Sequence, residues 1–153
     1  MLENFKLLLS SVLLIIAVYN FGNIVIVNRR HKSLIIDILI VACISLLSFI
    51  VFKYTAGTIK TITTCLLYAS LFFLTFDIKL SKAIFISILY VILLVIPDLL
   101  TLGGAIYVLR FSKEYCYANL TGSIISNISV CCIMTALTFV MKRPLRKLVN
   151  YKM

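Results

Sequence analysis

Residues 83–104 read AIFISILYVILLVIPDLLTLGG, and this stretch decides the class of fold. Its 22 residues carry one charge, on Asp98, and a helix of that length is about 33 Å long at a rise of ~1.5 Å per residue. The hydrocarbon core of a bilayer is about 30 Å thick. We therefore interpret the stretch as the main part of a transmembrane helix, which we expect to cover residues 83–107.

Four more apolar runs, working outward from this stretch, have the composition of membrane-crossing helices. They cover residues 7–27, 34–52, 61–76 and 120–141. The run 61–76 is the shortest, and its first residues are polar. Backbone groups in lipid must be hydrogen-bonded within their own helix. The sequence therefore predicts an all-α integral membrane bundle of about five transmembrane helices, a single domain of residues 1–153 with a basic tail at 142–153.

The Lys and Arg residues lie outside the apolar runs and set the expected orientation. If the tail is cytoplasmic, ten of the 15 Lys and Arg residues face inward. The five that face outward are Lys6, Lys53, Lys60, Arg110 and Lys113. Cytoplasmic connectors carry the excess of Lys and Arg in membrane proteins. The pattern favours a multi-pass protein of the cell membrane with its N-terminus outside and its C-terminus in the cytoplasm.

Several classes of function have no support in the composition. The cations form no polar, soluble face of the kind that binds nucleic acid, so the expected partner is the lipid bilayer. With one histidine, and with cysteines that lack metal-ligand spacing, we expect no metal and no cofactor. Glycine-rich phosphate loops and known nucleophile motifs are missing from the sequence. We therefore expect no catalytic residues.

Two acidic side chains lie inside the apolar runs, where a charge costs about 2.5–3.5 kcal/mol on insertion scales. Asp37 is close in sequence to Arg29 and Arg30, which predicts an ion pair at the membrane interface. Asp98 follows Pro97, which removes one helical hydrogen bond and opens room for polar groups. Asp98 could fix helix packing through a polar contact, or it could face an outward cavity that handles a ligand.

Polar and small residues form stripes on two of the other runs. Asn20 and Asn23 are three residues apart and share a helix face. Gly122, Ser126 and Asn127 mark one side of the last run. Small residues let helices approach closely, and amides hydrogen-bond across the contact. We interpret both stripes as helix-packing or signal-transmitting positions; a translocation path is the alternative.

The connector before the last run is rich in aromatic side chains: Tyr107, Phe111, Tyr115 and Tyr117. Aromatic residues gather at membrane interfaces, where one part of the ring is apolar and the other is wet. The same four side chains, together with Asp98, could instead offer a docking surface to an external peptide.

Two stretches resemble the membrane sensor of one known family. They are FDIKLSKAIFISILYVILLVIPDLL, with Asp98 near its outer end, and YANLTGSIISNISVCCIMTALTFVMKRPLRKL, with Gly122, Ser126 and Asn127. They are similar to the N-terminal sensor region of the accessory-gene-regulator-C-like histidine kinases, the quorum-sensing kinases of Gram-positive bacteria. The likeness covers about the second half of the chain. The first half agrees in hydropathy alone.

The resemblance implies a sensor or receptor module that binds an extracellular peptide and acts as a homodimer or with a partner kinase. Such kinases continue into a phosphoacceptor helix and an ATP-binding domain of the GHKL type. The sequence reaches Met153 without either, so we expect no kinase activity from this chain alone. A small transporter, or the substrate-binding membrane subunit of one, is the alternative hypothesis. A third is a regulatory partner of another membrane protein.

Overall fold

The computed structural model describes residues 2–26, 28–31, 33–104 and 120–150. Regular secondary structure in these residues is helical throughout, which confirms the all-α prediction. The helices are α1 (Leu2–Val25), α2 (Leu34–Tyr54), α3 (Gly57–Thr75), α4 (Leu80–Gly103), α5 (Leu120–Val140) and α6 (Lys142–Asn150).

Four of these helices, α1 to α4, are long and apolar enough to cross a membrane, with mean hydropathies from 1.4 to 2.9. The helices α5 and α6 meet the same criterion when they are taken together as one span bent by 74°. At 21 residues, α5 is about 31 Å long at ~1.5 Å per residue. The chain is thus a helical bundle with the four to five spans expected of a multi-pass membrane protein.

The helix bounds depart from the predicted spans at several ends, including the start of α4, which lies at Leu80 and not at residue 83. Helix α1 begins at Leu2, five residues before the predicted start. Helix α3 begins at Gly57, whose φ of 58° is left-handed. Glycine adopts this conformation without a steric cost, so the chain reverses directly after α2. Helix α4 ends at Gly103, and residues 105–107 of its predicted span lie outside the described residues.

The five long helices form a closed ring in which each packs on the next and α5 returns to α1. An aromatic cluster fills the centre. The Tyr90 ring meets Phe21 edge-on at 5.1 Å between centroids and Tyr68 at 5.5 Å. All three side chains are buried. Since a ring of helices encloses them, their burial comes from contact between helices and not from lipid.

One glycine allows α1 to approach the segment that follows α3. A Cβ atom built at Gly22 would lie 2.5 Å from Cε2 of Phe76 and 3.1 Å from Cε1 of Phe72. Both rings are fully buried and have little room to move. Glycine is therefore required at this position by packing rather than by backbone conformation.

The two ends of the bundle differ in charge. We name the end that holds residues 28–31, residues 76–79 and α6 the basic end, and the opposite end the far end. Nine described Lys, Arg and His side chains lie at the basic end or in the first turn of α4, which adjoins it. They are Arg29, Arg30, His31, Lys79, Lys82, Lys142, Arg143, Arg146 and Lys147.

Candidate functional site at the basic end

A buried carboxylate organises the basic end. Asp37, in the first turn of α2, is 1% exposed. Its Oδ2 atom accepts a hydrogen bond from the Tyr19 hydroxyl of α1 at 3.0 Å. The same oxygen lies 3.5 Å from Nη1 of Arg29. This ion pair confirms the sequence-based prediction for Asp37, and Tyr19 is a partner that the sequence did not reveal.

Arg29 extends the network back to α1. Its Nη2 atom donates to Oδ1 of Asn23 at 2.9 Å, so one guanidinium joins α1, the first connector and α2. Asn23 thus contacts a connector rather than another helix. The Oδ1 atom of Asp37 is buried and has no hydrogen-bond partner among the described residues. A buried acceptor without a donor costs about 1–3 kcal/mol. No hydrogen bond to Oδ1 therefore offsets the cost of burying that oxygen.

The two connectors at the basic end pair with each other. Arg29 and Phe76 form an isolated antiparallel bridge. The backbone N–H of Arg30 donates to the Thr75 carbonyl at 3.0 Å, and the N–H of Asp77 donates to the Asn28 carbonyl at 3.2 Å. These bonds satisfy backbone groups that would otherwise be unpaired outside the helices. They hold the α1–α2 and α3–α4 connectors together as one unit.

Two polar contacts hold helix α6 to the end of α1 and to the start of α4. Nε of Arg146 donates to the carbonyl of Ile24 at 2.9 Å. That carbonyl belongs to the last turn of α1, whose acceptors have no donor within the helix and favour a nearby cation. Nζ of Lys82, on α4, lies 3.4 Å from the Val149 carbonyl. Leu145 and Val149 are the buried side chains of α6.

The stripe on α5 faces α1 in part. Nδ2 of Asn127 donates to Oγ of Ser10 at 2.8 Å, and the Cys131 thiol lies 3.5 Å from the Leu13 carbonyl. Gly122 is buried, and Ser126 is half-buried. Asn20, by contrast, is exposed. The structure therefore brings Asn127 to a contact with another helix, while Asn23 binds Arg29 of the first connector.

Pro97 and Asp98 lie in the far half of α4, which continues through the proline to Gly103. The Pro97 ring is buried, and the Asp98 side chain is exposed. Among the described residues, Asp98 has neither an ion-pair partner nor a hydrogen-bond partner. The four aromatic residues predicted for peptide docking, Tyr107, Phe111, Tyr115 and Tyr117, lie outside the described residues.

The polar side chains of the basic end make structural contacts between helices and connectors. Over the ranges that the structure describes, no three His, Cys, Asp or Glu side chains come together as a metal site requires. The charged side chains instead connect helices to connectors and to α6. Sequence reasoning missed Tyr19, Lys82 and Arg146. The mixture of cations with Leu145 and Val149 was the available signal for α6, since a basic amphipathic helix lies at a membrane interface.

Comparison of the chain with protein-family models, with curated proteins and with solved structures gave no match.

Proposed function

We propose that the chain is a membrane-embedded sensor module without catalytic activity of its own. An extracellular peptide binds at the far end and changes the packing of α1 to α5, and the change reaches α6 at a cytoplasmic basic end. The charge bias and the resemblance to the peptide-sensing region of quorum-sensing histidine kinases both support this proposal.

The observation that carries the proposal is the position of α6. It is held by Arg146 to the end of α1 and by Lys82 to the start of α4, and it continues from α5 after a 74° bend. Three helices that reach the far end therefore meet one short helix at the basic end. Under this proposal the two helix arrangements place α6 differently, so a ligand that favours one of them also shifts α6.

The far end supplies groups that a peptide could contact. Tyr54 ends α2 with 73% of its surface exposed, and the exposed Asp98 carboxylate offers a counter-charge to a cationic group. Aromatic side chains supply contact area at low entropic cost in peptide recognition. Tyr107, Phe111, Tyr115 and Tyr117 belong to the same proposal.

The orientation is tested first, because it needs no ligand. A fluorescent protein that matures only in the cytoplasm is fused after Met153, and alkaline phosphatase, active only outside, is fused at the same place. We expect fluorescence and no phosphatase activity. The reverse result would overturn a cytoplasmic α6.

Sensing is tested with a photoreactive benzoylphenylalanine at Tyr54, in the far end, and at Leu80, an exposed residue of the basic end. The probes are synthetic peptides encoded by small reading frames beside the gene, added to protein in nanodiscs. We expect adducts at position 54 and none at 80. Adducts confined to position 80 would contradict a far-end site.

Transmission is tested with the crosslinking peptide and spin labels at Lys79 and Lys147, both exposed. The peptide should change the distance between the labels. Arg146→Gln should abolish that change and keep the adduct at position 54, since it removes the link to Ile24 and leaves the far end intact. An unchanged distance in the unaltered protein would contradict transmission to α6.

A small transporter is the second candidate, and Asp98 is the observation in its favour. A carboxylate in an apolar membrane segment is costly, and such residues often mark solute paths. Under this hypothesis, Asp98→Asn abolishes solute uptake into proteoliposomes and leaves membrane insertion unchanged. Uptake that survives the substitution would leave the sensor as the better explanation.

A further inference from the structure

A groove runs along the surface of α5 beside α1 and ends at the bend before α6. Its volume is about 650 Å³, and its walls include Leu13, Ile128, Cys132, Ala136, Phe139 and Val140. The polar groups in its lining are engaged elsewhere. Oγ1 of Thr135 donates to the Cys131 carbonyl at 2.7 Å, and the Cys131 thiol lies 3.5 Å from the Leu13 carbonyl. The surface that remains is apolar.

The length of the groove matches one leaflet of a bilayer. From Ile128 to Val140 the helix rises by about 18 Å, at ~1.5 Å per residue. Half of a hydrocarbon core is about 15 Å. The groove therefore reaches from the membrane surface, where α5 ends, to near the bilayer centre, which is the depth of one acyl chain.

The surface end of the groove is cationic. Nζ of Lys142 lies 5.8 Å from the ring centroid of Phe139, which lines the groove. The next residue, Arg143, is exposed. Because α6 leaves α5 at 74°, it lies close to the membrane plane when α5 crosses the bilayer. Lys and Arg in this position bind phosphate groups by charge-assisted hydrogen bonds.

We propose that this groove is a binding site for an anionic phospholipid. One acyl chain lies along α5 between Ile128 and Val140, and Lys142 and Arg143 hold the phosphate and the anionic headgroup. Charge favours a lipid over a second copy of the chain. Two copies that met along α5 in parallel would bring two Lys142–Arg143 pairs together, and like charges oppose such a contact. The site does not depend on the proposed sensing role.

The chain contains no tryptophan, so Phe139→Trp places a single fluorescent reporter in the groove. The protein is reconstituted in phosphatidylcholine vesicles that contain either brominated phosphatidylglycerol or brominated phosphatidylcholine, both of which quench tryptophan on contact. We expect phosphatidylglycerol to bind more tightly, by about fivefold for each cation engaged. Equal quenching by the two lipids would show ordinary boundary lipid and overturn the proposal.

Charge variants locate the headgroup site in the Phe139→Trp background. Lys142→Gln and Arg143→Gln should each reduce the preference for phosphatidylglycerol. Lys79→Gln removes the same charge from an exposed position just before α4 at the same end, and it should leave the preference intact. Equal losses in all three variants would indicate diffuse surface charge and contradict a site at Lys142 and Arg143.

A steric pair tests the groove itself. Ala136→Phe fills it, whereas Ala42→Phe adds the same ring to an exposed position on α2. The first should abolish the preference reported by the introduced tryptophan, and the second should preserve it. Disulfide crosslinking of Cys132 between two copies in the bilayer, with the introduced tryptophan shielded from both lipids, would show that a second chain occupies the groove and would reject the proposal.

Discussion

The Tyr19 hydroxyl donates to the Asp37 carboxylate at 3.0 Å and so joins the middle of the basic half of α1 to the first turn of α2. Within the described part of the chain, this is the one hydrogen bond that the Asp37 side chain accepts. The second carboxylate oxygen, Oδ1, has no hydrogen-bond partner there. The Tyr19 hydroxyl therefore supplies the hydrogen bond that offsets part of the cost of burying Asp37.

Removing the Tyr19 hydroxyl gives the first prediction. Tyr19→Phe keeps the ring and deletes the donor, so we expect the free energy of unfolding to fall by about 1–3 kcal/mol, the cost of leaving a buried charged acceptor with one fewer partner. The measurement is unfolding in mixed micelles titrated with SDS. Tyr54→Phe is the control, because Tyr54 is 73% exposed; an equal loss in both variants would contradict the role of the hydroxyl.

The ion pair gives a second prediction. Arg29→Gln leaves the Asp37 charge buried without its cation, so we expect the free energy of unfolding to fall by about 1–3 kcal/mol. This loss is smaller than that for a fully buried ion pair, because the Arg29 side chain is 45% exposed. The double variant Arg29→Gln/Asp37→Asn should regain part of this loss, since it removes the unpaired charge. A double variant no more stable than Arg29→Gln would show that the pair is not coupled.

The close approach at Gly22 gives a third prediction. Gly22→Ala should destabilise the bundle by about 1–3 kcal/mol through overpacking against Phe76. Gly103→Ala is the matched control, because a Cβ there meets nothing within 4 Å, and it should be neutral or slightly stabilising. Adding Phe76→Leu to Gly22→Ala should recover stability. If both alanine variants unfold alike, the packing argument is wrong.

The contact between α1 and α5 gives a fourth prediction. Asn127→Ala and Ser10→Ala delete the same interhelical hydrogen bond, so each should cost about 0.6–2 kcal/mol, and the double variant should cost little more than either alone. Thermal unfolding in detergent measures the loss. Ser126→Ala, one residue away on α5, should change little. Additive effects of Ser10 and Asn127 would refute a shared bond.

Hydropathy predicted the spans well because the bilayer sets both their length and their composition. The start of α2 at Leu34 and the end of α5 near residue 141 fall where the apolar runs begin and end. The ion pair of Asp37 was also predictable, since its cations are local in sequence. The early start of α3 was not, because it depends on the left-handed backbone of Gly57.

The remaining contacts at the candidate site join residues distant in sequence, which explains why no local pattern revealed them. Arg146 and Ile24 are 122 residues apart, and Lys82 and Val149 are 67 apart. Both bonds end on backbone carbonyls, which every residue carries, so sequence gives no clue to the acceptor. The apolar groove on α5 is likewise visible only after α1 is in place, because Leu13 forms one wall.

The paired connectors, with the bridge between Arg29 and Phe76, join α1 to α4 at their basic ends. The displacement that a small rotation at these connectors causes at the far end of a helix grows with the length of the helix. Helices α1 and α4, at 24 residues apiece, are each about 36 Å long. Because each of the five long helices packs on the next, such a rotation moves the far ends of α1 to α4 together.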